Sequence, residues 1–311
     1  MKKEVIYSLD SPYREEMNIR AYRFGHGKKA VSIVGSIRGN EIQQLYVCSQ
    51  LIRKLTELEE AGAIVSGNEI MVVPSVNNYS MNIEKRFWAV DNTDINRMFP
   101  GYYLGETTQR IAAGVFEQVK DYDYGIQFAS FYMPGDFVPH VRMMDTGRQN
   151  ASLASLFGLP FVVIRKPKPI DTTTLNYNWQ IWETNAFSVY THETDTIDEV
   201  SARQAVAAVL RFLTRMGIIR YHNHSGYIST VFGEEGLTQV KSNVGGIYRR
   251  KKEPGDEVHM GDILAEVLHP YEGDVISQII SPTEGIIFFA HKKPLVTENE
   301  VIYKIIRRLH E

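Results

Sequence analysis

Apolar residues recur with two different periods along this chain, and the change from one to the other divides it. Ala30–Gly35 (AVSIVG) is a short unbroken apolar run closed by glycine, which predicts a buried strand. Ile42, Leu45, Tyr46, Ser49, Ile52, Leu55 and Leu58 then fall three or four apart, on one face of a helix that Gly62 can stop. Glu69–Val76 predicts a second strand, with Pro74 placing its end at an edge or turn. Thr107–Lys120 has helical spacing, and Tyr124–Phe128, Phe161–Ile164 and Ala186–Thr191 predict further strands. Asp198–Met216 is a strongly amphipathic helix with Gly217 after it. Strands alternating with helices predict an α/β domain, a mainly parallel sheet flanked by helices, over residues 1–219. From Tyr227 to Ile306 helical periodicity is gone. Short β-rich runs are broken at Gly245-Gly246, Pro254-Gly255-Asp256, Glu272-Gly273-Asp274 and Glu284-Gly285, which predicts a small all-β domain over 227–311. Residues 220–226 (RYHNHSG) read as the linker.

The 311 residues are 43% hydrophobic and 23% charged, a globular composition that excludes a disordered chain. A net charge of -3 and the lack of a basic stripe argue against a nucleic-acid partner. The aromatic residues Phe128, Phe131 and Tyr132 read as core or pocket wall rather than a base-stacking platform. No apolar run is long enough for a membrane span, and Met1–Asp10 does not read as a secretion signal, so a cytoplasmic protein is expected. The single cysteine, Cys48, lies in the first helical pattern and reads as a buried, inert thiol.

Three segments carry candidate chemistry. In chain order they are Gly35-Ser36-Ile37-Arg38-Gly39-Asn40-Glu41, Asp94-Ile95-Asn96-Arg97-Met98-Phe99-Pro100-Gly101, and Asp123–Ser130 (DYGIQFAS). They resemble the G-G-x-H-G-[ND]-E, D-x-N-R-x-F-P-G and A-D-x-x-I-D-L-H-T segments of the succinylglutamate desuccinylase/aspartoacylase family, which has a zinc carboxypeptidase-like fold. Val73–Asn77 and Gly105–Ala112 are similar to two further family segments, and a C-terminal β segment is typical of one branch. The resemblance implies an amide hydrolase, a deacylase of N-acyl amino acid-like substrates. Its zinc would be held by the His and Glu of the first motif and the His of the third. A glutamate near the last strand would be the general base, and the Asn-Arg pair would hold the substrate carboxylate.

This chain departs from that pattern where the metal would sit. Arg38 stands at the first His and Ala129 at the second, and only Glu41 of the ligands remains. Tyr190, in Ser188-Val189-Tyr190, stands at the general base, with Glu193 three residues later. A guanidinium is always charged and offers no lone pair, and alanine donates nothing. No cofactor is therefore expected, and the family mechanism is expected to be lost, as in a pseudoenzyme with a degenerate metal site. What survives is Asn96 and Arg97, with Arg38 as a further cation for a small carboxylate-bearing molecule; Arg86 and Arg142 are possible additions. Arg38 either pairs with Glu41 inside the pocket or turns to solvent while Glu41 caps the helix, and the pair is the expected arrangement. Two rival readings remain: an active hydrolase whose metal site is rearranged around Glu41 with His140 or His192, and a non-catalytic structural or interaction protein.

The β segment also resembles a biotinyl/lipoyl-like module through Pro254–Asp262 (PGDEVHMGD). The turn that would carry a modified lysine is Tyr271-Glu272-Gly273-Asp274, which has none, so neither lipoylation nor biotinylation is expected. A cover for the pocket rim or a contact in a homo-oligomer is the remaining role.

Overall fold

The computed structural model describes residues 1–11, 15–131 and 133–307. Tyr132 and the last four residues of the expected β domain thus lie outside the described residues. The elements in chain order are β1 (Lys2–Leu9), β2 (Met17–Gly25), β3 (Gly27–Ser36), α1 (Ile42–Glu60), β4 (Gly67–Ser75), α2 (Asn78–Met81), α3 (Thr107–Val119), β5 (Tyr124–Ala129), β6 (Gly135–Phe137), β7 (His140–Met144), α4 (Ala151–Ser155), β8 (Phe161–Arg165), α5 (Leu175–Ile181), β9 (Asn185–Tyr190), α6 (Glu199–Arg215) and β10 (Thr230–Gly233). The chain divides into two compact units: Met1–Ser130 with Pro139–Val231, and Phe131–Val138 with the chain from Phe232 on. β10 carries the chain across that boundary.

In the first unit the strands lie in the order β1-β2-β4-β3-β5-β9-β7-β8. β4, β3, β5 and β9 are mutually parallel, as are β7 and β8, while β1, β2 and the β7–β9 pair run antiparallel. Every residue of β3 from Ala30 to Ser36 is buried, as a strand covered on both faces requires. One face packs against α1 and α6 through Val47, Leu51, Leu55, Val209, Phe212 and Leu213. The other packs against α3 and α5 through Ile111, Val115, Val119, Leu175 and Trp179. Pro74 lies beyond the last β2 partner of β4, Val72, so β4 is already an edge there and needs no amide donor on that side.

The second unit holds two antiparallel sheets. β11 (Leu237–Lys241), β18 (Val301–Arg307), β16 (Gly285–His291) and β13 (Glu257–Val258) form one; β15 (Val275–Ile280), β14 (Ile263–Leu268), β12 (Gly246–Arg250) and β17 (Leu295–Val296) form the other. Leu264, Val267, Ile287, Ile302 and Tyr303 fill its core, and the Tyr303 hydroxyl donates to Leu264 O at 2.7 Å. Its only helical turn among the described residues is the 3-10 turn Glu234–Gly236. β14 and β15 are joined at Gly273, which adopts φ 78.

Two features differ from the sequence reading. Residues 131–138, expected in the first domain, belong to the second: β6 adds to β16, with Phe289 opposite Phe137, and the buried Asp136 pairs with Arg250 at 2.6 Å. The expected linker 220–226 is packed into the first unit. Arg220 N donates to Ala63 O, Asn223 Nδ2 to Ala207 O at 3.0 Å, and Arg215 Nη2 to Ser225 O at 2.7 Å. The chain's final passage from the first unit to the second comes only after Val231.

Candidate functional site

Because β3, β4, β5 and β9 are parallel, their carboxyl ends open on one edge of the sheet, where open α/β sheets bind ligands. The segments leaving those ends bring Arg38 and Glu41, Asn77, Ala129 and Ser130, and Tyr190 to that edge. β7 runs antiparallel to β9, so its first residue, His140, lies opposite Tyr190 at the same edge.

Arg38 and Glu41 form an ion pair, Nη1 to Oε1 3.2 Å, with side chains 7% and 1% exposed. Arg38 also addresses Asp94: Nη2 reaches Oδ2 at 2.8 Å, and Nε lies 3.1 and 3.2 Å from the two oxygens. Burial works against the Arg38 charge, but the attraction of Glu41 and Asp94 outweighs it and raises the guanidinium pKa further. Glu41 is saturated. Its Oε2 accepts from Ile37 N at 2.8 Å and Arg38 N at 3.0 Å, while Oε1 accepts from Arg38 Nη1 and the Ser130 hydroxyl.

Asn96 and Arg97 sit in a 3-10 turn capped by Asp94, whose Oδ1 accepts from Asn96 N at 3.0 Å. Asn96 Oδ1 in turn accepts from Leu175 N at 3.2 Å, at the start of α5. Arg97 Nη1 donates to Ile170 O at 3.0 Å and to Asp171 Oδ1 at 3.2 Å; Arg165 Nη2 lies 3.1 Å from the other oxygen of Asp171. The Arg97 side chain is 23% exposed, so part of its fork stays open to solvent. Arg86 closes the cluster: burial and then the Arg38 charge lower its pKa, while Glu41 and Asp94 oppose them. Arg38, Arg86, Arg97 and Arg165 thus gather around Glu41, Asp94 and Asp171.

Tyr190 is buried, with an aromatic and a cationic neighbour. Its ring stacks on His140, centroids 4.8 Å apart and 2° from parallel, and Arg142 Cζ lies 5.0 Å from its centre. Beneath this edge several buried amide atoms lack protein partners, among them both of Asn176, 3% exposed, and Nε2 of Gln127, 2% exposed. Trp179 packs over Gly125. Asn176, one helical turn before Trp179, and Gln127, two residues along β5 from Gly125, therefore occupy the same layer between sheet and helix. None of Asn176, Gln127, Asp171 and Ser130 was singled out from sequence: Asn176 and Asp171 lie outside every motif segment, while Gln127 and Ser130 lie inside the third one at positions to which the resemblance assigns no ligand. A groove of about 550 Å³ between α1 and α6, lined by Tyr46, Lys54, Arg203 and Tyr221, contains none of these residues.

A zinc ion held by the family's two imidazoles and one carboxylate does not fit these residues. Arg38 and Ala129 supply no lone pair, and the four donors on Glu41 already occupy the sites its two oxygens offer. Among the described residues, no group of three or more His, Cys, Asp or Glu side chains that includes Glu41 comes close enough together to hold a metal ion.

The model of the succinylglutamate desuccinylase/aspartoacylase catalytic domain matches residues 27–215. Among solved structures, a succinylglutamate desuccinylase from Silicibacter sp. TM1040 superposes with a TM-score of 0.80 at 18% identity, over 98% of this chain and 93% of that one. An aspartoacylase family protein from Mesorhizobium loti gives 0.76 at 21% identity over 96% and 91%. The product-bound ectoine utilization protein EutE (DoeB) from Ruegeria pomeroyi gives 0.78 at 18% over 97% and 93%. At these identities the likeness shows the fold. No curated protein matches the sequence.

Proposed function

Since the chain belongs to the succinylglutamate desuccinylase/aspartoacylase family, we propose that it keeps the family's carboxylate recognition but not its zinc-dependent amide hydrolysis, and binds a small carboxylate-bearing molecule. The observation that carries this reading is the state of Glu41: the one retained ligand position is saturated by four hydrogen bonds, one of them from the arginine that replaces a histidine. The anion preference rests on Arg97, whose partly open fork matches a carboxylate. Asn176 and Gln127 offer the buried hydrogen-bonding groups that orient such a ligand. Tyr190 replaces the general base with a phenol, which fits binding better than hydrolysis. The partner is read as a small molecule rather than nucleic acid, since a net charge of -3 gives no bulk attraction to a polyanion; no helix among the described residues is long and apolar enough to cross a membrane.

Calorimetric titration with small N-acyl amino acids and dicarboxylates tests the reading. Wild type should bind at least one of them, and Arg97→Ala should weaken that binding by about 1.5–3 kcal/mol, the scale of a charged hydrogen bond. No binding by wild type, or equal binding by both proteins, would leave the non-catalytic scaffold as the better account. Turnover of these compounds by wild type with zinc supplied would restore the hydrolase reading.

A further inference from the structure

We infer that the Arg38 guanidinium is the resident cation of this site: it ties the turn after β3 to the turn bearing Asn96 and Arg97, and so sets the binding shape without a metal ion. One carboxylate links the two turns. Asp94 receives the Arg38 fork at 2.8–3.2 Å, and the same carboxylate accepts from Asn96 N at 3.0 Å. Whatever fixes the Asp94 side chain therefore fixes the backbone of 95–97, and with it the direction in which Arg97 leaves the turn. Arg97 Nε is 4.0 Å from that carboxylate, close enough for Asp94 to bias its side chain as well.

At the other end, Glu41 is locked to the backbone amides of Ile37 and Arg38 and to Ser130 after β5. The chain of contacts Ser130–Glu41–Arg38–Asp94–Asn96 thus joins three separate segments. A metal ion joins segments in the same way, by gathering carboxylates around one positive centre. Here the centre is covalently part of the chain. Its planar fork also prescribes geometry: a lysine at this position carries the charge but cannot make the paired contacts to Asp94 while holding Glu41. Arg38 is in this sense a positioning residue for Arg97.

The test needs no ligand. Amide hydrogen exchange of the full chain is followed in peptides covering 94–98 and, as an internal control, 285–291 in the second unit. In Arg38→Lys and Arg38→Met, exchange at 94–98 should quicken at least tenfold while the control is unmoved. Asp94→Asn should do the same with Arg38 intact, which covers the case in which an Arg38 variant does not fold. In Arg38→His/Ala129→His, titrated with zinc chloride alone, zinc should bind and slow exchange at 94–98 back toward wild type.

Unchanged exchange at 94–98 in folded Arg38→Met or Asp94→Asn overturns the inference. So does full protection in Arg38→Lys, since charge alone would then suffice. Stoichiometric zinc in wild type overturns it too, as does zinc binding by the double variant that leaves 94–98 unprotected, or no zinc binding by it at all. The inference extends the carboxylate-binding reading but is independent of it in outcome. If wild type binds no carboxylate and the exchange results hold, the ligand reading fails and the role of Arg38 stands.

Discussion

Replacing Asp171 with asparagine separates the structural from the binding share of Arg97. Asp171 is 1% exposed and accepts from Arg97 Nη1 at 3.2 Å and Lys168 N at 2.9 Å, with Arg165 Nη2 at 3.1 Å. Asparagine keeps the volume but removes the charge, and it turns one acceptor into a donor facing another donor. Two charged hydrogen bonds, each about 1.5–3 kcal/mol, are weakened. The Arg97 and Arg165 side chains are 23% and 15% exposed and keep some water, so solvent screening reduces the total. The expected loss is about 2–3 kcal/mol, or a melting-temperature drop of roughly 4–12 °C for a unit of this size. All three tryptophans, Trp88, Trp179 and Trp182, lie in the first unit, so their fluorescence during urea unfolding reports on it. Ligand binding should move the other way: with Nη1 released from Asp171, Arg97 is freer to pair with a carboxylate, and affinity in calorimetry should rise several-fold. A stability change below about 0.5 kcal/mol would refute the energetic argument. A fall in affinity matching that of Arg97→Ala would show that Asp171 orients Arg97 for the ligand instead of competing with it.

Gly125→Ala should destabilise the first unit by about 1–3 kcal/mol, because its Cβ would lie 2.6 Å from the Trp179 ring; pairing it with Trp179→Leu should recover part of that loss in the same urea assay. Asp198 caps α6 by accepting from Val200 N and Ser201 N at 3.2 and 3.0 Å. Burial pushes its carboxyl pKa up, but the Ser201 side chain, these amides and the nearby His192 together pull it below the usual aspartate value. Because the folded pKa is depressed, the cap's contribution is fully present above the unfolded carboxylate value and is lost as pH falls through the folded one. Asp198→Ala should therefore cost about 1 kcal/mol near neutrality, with the gap to wild type closing below about pH 4 in urea titrations at stepped pH. Cys48 is fully buried and its thiol pKa is pushed up by that burial, so a thiol reagent should label it only after denaturation; rapid labelling of native protein would contradict this packing.

The fold was legible where burial imposes a period. Val47, Leu51, Leu55 and Leu58 of α1, and Val209 and Leu213 of α6, must face the sheet, and their spacing says so. β2 also alternates, burying Met17, Ile19 and Ala21, but β1 beside it is largely exposed and its charged residues hide the pairing. α5 buries only Leu175 and Trp179 as large apolar side chains, too few in seven residues to announce a helix. β6 has three residues and exists because Phe137 finds Phe289 far along the chain, a contact that no local pattern encodes. The site divides the same way. Arg38 and Glu41 are three residues apart, so their pairing could be expected from spacing; Asp94 is 56 residues from Arg38, and its role as the second acceptor appears only once the strands are assembled.

That second acceptor bears on how the site holds together with Arg38 and Ala129 where the family motifs have histidines. A carboxylate as buried as Glu41, 1% exposed, is costly unless it is both paired and hydrogen-bonded. Alanine in place of the first histidine would have removed the paired counter-charge and one of its four hydrogen bonds. Arginine there supplies the charge, and its length lets one group serve Glu41 and Asp94 together. The second histidine could become Ala129 without leaving another charge unpaired, because Ser130 next to it donates to Glu41. The two positions are therefore unequal: Arg38 carries the electrostatic load, while Ala129 adds no charge and leaves none unpaired. Keeping Glu41 makes physical sense only with Arg38 present, and the Asn96–Arg97 turn inherits its geometry from that pair through Asp94.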